Sequence, residues 1–164
     1  MQARERQFTR GGFLLGIGLG GFVDGIVLHQ LLQWHHLLTA TGDHPAGTVA
    51  GLEANTLADG LFHVATWIAA VAGLFLVVSA ARAGHRFLMG QLVGLLLMGW
   101  GAFNLVEGIV DHHVLTIHHV RDDVGAPLGW DLAFLALGAV LVAVGLALWR
   151  RRAPAPATIA DGPC

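Results

Sequence analysis

Four stretches of the chain are long and apolar enough to cross a bilayer, and nothing constrains the fold more. A transmembrane helix needs about 20 mostly apolar residues, and residues 11–38, 57–81, 87–114 and 130–149 each supply them. Composition agrees: 55% of the 164 residues are hydrophobic and only 12% are charged, against about 25% charged in a soluble domain. These spans predict an all-α polytopic membrane four-helix bundle over residues 1–152, with residues 153–164 a disordered, proline-bearing tail. Arg4, Arg6 and Arg10 ahead of the first apolar run imitate a secretory signal. The run is too long for one, contains Asp24 and lacks a small-residue cleavage site, so it reads as a retained span.

All nine cations are arginine, and their placement orients the bundle. Arg4, Arg6 and Arg10 precede span 1, Arg82 and Arg86 separate spans 2 and 3, and Arg150, Arg151 and Arg152 follow span 4. The other two loops, 39–56 and 120–129, hold only Arg121 against Asp43, Glu53, Asp122 and Asp123. The positive-inside rule therefore predicts both termini cytoplasmic and those two loops outside. Trp34, Trp130 and Trp149 fall where interfacial anchors are expected. A net charge of −2 offers nothing to nucleic acid. Cys164, the single cysteine, excludes an internal disulfide, a cysteine zinc site and an iron–sulfur cluster.

Sliding the chain by 83 residues lays Phe13–Leu37 over Leu96–Val120 with 11 of 25 pairs identical. The shared pattern is G-x-G-x5-[DE]-G-I-V-x-H-x5-H-H: Gly16, Gly18, Asp24, His29, His35 and His36, then Gly99, Gly101, Glu107, His112, His118 and His119. Apolar bias produces matches at leucine and valine, but not at glycine, acid and histidine together. Spans 2 and 4 match more weakly, Asp59 and Gly73 falling on Asp131 and Gly145 at an offset of 72. Spans 1 and 3 run in the same direction, so two parallel helical-hairpin repeats are expected, related by a pseudo-twofold axis along the membrane normal. Spans 1 and 3 then lie across the bundle from one another, and their glycines permit close helix approach.

With Asp24 and Glu107 at the origin of an ideal α-helical wheel, His35 and His118 fall at about 20° and Asp111 at about 40°. His36 and His119 fall at about 120°, and His29 and His112 at about 140°, so one wedge holds nearly all strongly polar groups of both spans. On span 2, Asp59 and His63 share a face one turn apart. A lone intramembrane carboxylate costs roughly 2.5–3.5 kcal/mol, so this set needs charge compensation. A divalent cation supplies it, engaging the lone pairs of carboxylate and imidazole together. The candidate metal ligands are Asp24, His29, His35, His36, Asp59, His63, Glu107, Asp111, His112, His118 and His119, enough for two or three ions. Hydrated loop positions are expected for Asp122 and Asp123, and Asp131 is expected to cap span 4. Without cysteine or a methionine path, soft Cu(I) handling is disfavoured, and copper(II), zinc and iron remain.

The segments FVDGIVLHQLLQWHH and NLVEGIVDHH resemble a family of small bacterial membrane proteins catalogued only as a domain of unknown function, over about residues 8–150. The resemblance implies a four-helix membrane protein whose genes lie near those for copper assembly of cytochrome oxidase, which favours copper. It implies no activity and no ligand set. Three function classes follow from the residues themselves. One is a multinuclear non-haem metalloprotein, an oxidoreductase on a small or lipid-soluble substrate or, with zinc, a hydrolase. The second is metal transport, or metal delivery to a membrane oxidase partner. The third is a haem b electron carrier, which leaves the buried acids without a purpose.

Overall fold

A computed structural model describes residues 2–151; the tail predicted at 153–164 lies outside the described residues. Four helices form: α1 (Gln2–Val23, continued by a π-helical segment Asp24–Leu31), α2 (Val49–Arg82), α3 (Met89–Glu107, continued by a π-helical segment Gly108–Val114) and α4 (Leu128–Trp149). All four are long and apolar enough to span a membrane, and no strand occurs among the described residues. Packing runs α2–α1–α3–α4, two antiparallel hairpins joined through α1 and α3. The repeated glycines make this possible. A Cβ at Gly16 would lie 2.3 Å from the Leu96 carbonyl oxygen, and one at Gly99 would lie 2.1 Å from that of Phe13. Glycine therefore lets the two central backbones touch below the site.

The exterior is apolar and the interior polar, the inverse of a soluble bundle. Leu57, Leu61, Trp67 and Phe75 on α2 are exposed, while Asp24, His29, His35, Asp59, Glu107, His112, His118 and Asp131 are buried at the end carrying the two long loops. At the opposite end a small core of Phe8, Val77, Ala80 and Leu95 closes the bundle, with Phe87, Leu92 and Trp149 against it.

Three boundaries depart from the sequence reading, the first being α1, which begins at Gln2 rather than at residue 11. Span 1 ends at Leu31 rather than near residue 38, and α2 begins at Val49 rather than 57. Hydrophobicity continues past Leu31, but the chain turns back. Trp34 N–H donates to Leu28 O and Ile117 N–H to Asp111 O, and Gln33 and Thr116 adopt φ of 51° and 48°. Left-handed backbone at a non-glycine residue ends a helix and costs about 1–2 kcal/mol. Both turns hold because the loops lock together: Ala40 N–H donates to Ile117 O (3.0 Å) and Asp123 N–H to Trp34 O (3.1 Å).

Candidate metal centre

The π-helical segments build the first part of the site. A π turn hydrogen-bonds residues five apart and so stacks them on one face. Asp24 with His29, and Glu107 with His112, have that spacing. Their separations are 3.2 Å (His29 Nε2 to Asp24 Oδ2) and 3.1 Å (His112 Nε2 to Glu107 Oε1). The ideal α-helical wheel holds these pairs about 140° apart; the widened turn closes that angle.

The turned-back loops supply the second part. His35 and His118 leave the helices and point back into the bundle, both fully buried. Their rings stack at 4.7 Å between centroids, with His29 4.4 Å from His35 and His112 4.9 Å from His118. The loop reversal returns both to the depth of the carboxylates. His118 Nε2 is 2.8 Å from Glu107 Oε1.

Three of the four histidines are held by a hydrogen bond at Nδ1, and the fourth, His112, faces Asp131 there without one. His35 Nδ1 donates to Val120 O (3.1 Å), and His118 Nδ1 donates to Leu37 O (3.3 Å). His29 Nδ1 donates to Asp59 Oδ1 (2.8 Å), and His112 Nδ1 lies 3.3 Å from Asp131 Oδ1. A main-chain carbonyl can only accept, which puts a proton on Nδ1 of both His35 and His118; Nε2 of His35 is left without a partner, while Nε2 of His118 faces Glu107 Oε1. Asp59 also accepts from His36 Nδ1 (2.7 Å) and Leu37 N–H (2.9 Å). Asp131 matches it, accepting from His119 Nδ1 (2.8 Å) and Val120 N–H (2.9 Å). Acceptors loaded this way orient imidazoles as the outer partners of metal-bound histidines do.

The inner face is left short of partners. Among the described residues, Asp24 Oδ1, His29 Nε2, His35 Nε2, Glu107 Oε2 and His112 Nδ1 are buried side-chain atoms with no hydrogen bond. Two groups bring ligand atoms within 4.8 Å of one another, His29–His35–His118 and Glu107–His112–His118, with His118 in both. These buried His and Glu groups could hold metal ions.

A family described as "Predicted membrane protein", DUF2243, matches residues 11–152. The chain belongs to this family. No curated protein and no solved structure matches it.

Within this DUF2243 chain, the eleven residues singled out from sequence separate into layers. Asp24, His29, His35, Glu107, His112 and His118 meet at the centre, and Asp59, His36 and His119 stand behind them. His63 lies apart: its Nδ1 donates to Asp59 O (2.7 Å), and its ring packs between Phe22 and Phe62. Asp111 is half-buried and makes no side-chain hydrogen bond among the described residues; its carbonyl caps the turn at Ile117. Asp131 does not cap α4 but holds the second imidazole layer, and the alignment with Asp59 at an offset of 72 was the signal for it. Asp122 is not merely hydrated, since it accepts from the Thr39 hydroxyl and from His119 N–H (3.3 Å).

Proposed function

We propose that the protein is a membrane metalloprotein with a dinuclear non-haem centre. Its ligands are the Nε2 atoms of His29, His35, His112 and His118 and the carboxylates of Asp24 and Glu107. Asp59 and Asp131 orient the histidines from behind, and His36 and His119 brace those acids. The observation that carries this reading is His35 Nε2. It is buried, has no partner, and sits among other imidazoles. A proton there would have no acceptor, whereas a cation uses that lone pair together with those of His29 and His118. Charge counting agrees: Asp24, Asp59, Glu107 and Asp131 balance two divalent ions. Imidazole and carboxylate donors suit copper(II), iron or zinc. The first two would supply one-electron chemistry, which makes an oxidoreductase the favoured activity, with zinc-dependent hydrolysis beside it.

Two observations weigh on the other readings. Four imidazole rings packed 4.4–4.9 Å from their neighbours leave no slot for a macrocycle, which counts against haem b. Backbone contact at Gly16 and Gly99 fills the bundle below the site, which counts against through-transport and leaves metal delivery from the loop end as the second reading. We further read the matched contacts of the two hairpins as a pseudo-twofold axis along the membrane normal. The loop end is then outside and both termini are cytoplasmic, as the arginines require. His118 is common to both ligand groups. His118→Ala is therefore expected to bring bound metal from two equivalents per chain to below one, by elemental analysis of detergent-purified protein with unchanged helicity. Full metal content in that variant would remove His118 and refute a shared centre.

A further inference from the structure

The bundle is not symmetric where the repeat says it should be. At the 83-residue offset Asn104 falls on Gly21, so the second repeat carries an amide that the first lacks. Asn104 is buried on α3, makes no side-chain hydrogen bond among the described residues, and has an unpartnered Oδ1. A buried amide without a partner costs about 1–3 kcal/mol, so a partner is missing from the protein itself.

Asn104 lines a cavity of about 250 Å3 between α1, α3 and α4. Trp34, Trp100, Trp130 and Phe134 line it, and so does Asp24. Its loop end is covered by Trp34 and Trp130, in edge contact at 5.3 Å, with the Arg121 guanidinium 4.4 and 5.2 Å from their rings. Its flank opens toward Val23 and Leu137, both exposed on the apolar surface. An apolar pocket with a few convergent polar groups is the usual form of a small-molecule site. Four aromatic rings around one amide select a flat ring, held by offset or edge contacts.

We propose that this cavity binds a lipid-soluble molecule with a flat aromatic head bearing a ring hydroxyl or carbonyl, the quinol and quinone class. The head group pairs with the Asn104 amide beside Asp24, and the apolar tail leaves past Val23 and Leu137 into lipid. As a substrate seat for the centre, the cavity rests on the metal reading above; as a binding site, it does not. Asn104 and Ala133, another wall residue, lie outside the proposed ligand set, so variants there leave the metal in place.

The test titrates detergent-purified protein with a decyl-tailed benzoquinone and reads quenching of tryptophan fluorescence, with metal content measured on each sample. Saturable quenching is expected, weakened at least tenfold by Asn104→Leu and abolished by Ala133→Trp, which fills the cavity. Decanol is expected not to compete. Quenching that rises in proportion to the quinone in micelles, equal affinity in both variants, or displacement by decanol would overturn the site. Saturable, Asn104-dependent binding by a metal-free wild-type protein would support the site and overturn the metal reading alone. Metal-loaded protein without saturable binding would overturn the site alone.

Discussion

At the scale of the residue, the histidines differ by what holds their Nδ1 atoms. Those bonded to Asp59 or a loop carbonyl, and His112 facing Asp131, turn Nε2 toward the centre; His63, bonded to its own preceding turn, does not. His63→Ala is therefore predicted to retain full metal content, although its spacing from Asp59 suggested a ligand. Asp131→Asn is predicted to lower metal affinity about 10–100-fold, the usual effect of losing an outer partner, measured by competition with a chelator of known affinity. An unchanged affinity would detach α4 from the centre. Sequence spacing singled out Asp59 through its nearness to His63, but its partners are His29, His36 and Leu37 N–H. Asp131 looked like a helix cap because a carboxylate near a helix start usually is one. Only contact with the turned-back loop reveals its role.

At the scale of the element, the spans and the repeat were legible because apolar length and an 83-residue match do not depend on local geometry. The π turns were not. An α-helical wheel assumes about 100° per residue, and no residue type announces a turn of five. The loop reversals were also hidden, since Gln33 and Thr116 are not residues that favour positive φ. That choice marks strain held for placement of the histidines that follow two residues later. Thr116→Gly is predicted to stabilise the fold, because glycine adopts that backbone freely and a β-branched residue does not. A gain of about 1 kcal/mol would raise Tm by about 2–4 °C, read by thermal denaturation in detergent. A lower Tm would mean that the threonine side chain contributes more than its backbone strain costs.

At the scale of the whole molecule, an apolar shell surrounds a polar centre at one end, the closely packed glycine crossing fills the bundle below it, and the core around Phe8 closes the other end. A bilayer supplies the solvent that the shell requires. The centre needs something else, because carboxylate oxygens and imidazole lone pairs face one another across 2.8–3.2 Å without enough hydrogen-bond donors between them. Protons could bridge His29 to Asp24 and His112 to Glu107, but they leave His35 Nε2 without a partner; a pair of cations engages all of these atoms. Elemental analysis of the wild-type protein, purified in detergent with no metal added, distinguishes the two directly. Close to two equivalents of copper, iron or zinc per chain is the predicted result. Folded protein with less than about a tenth of an equivalent of any of the three would mean that protons alone fill the centre, and that it is a buried ion-pair network rather than a metal site.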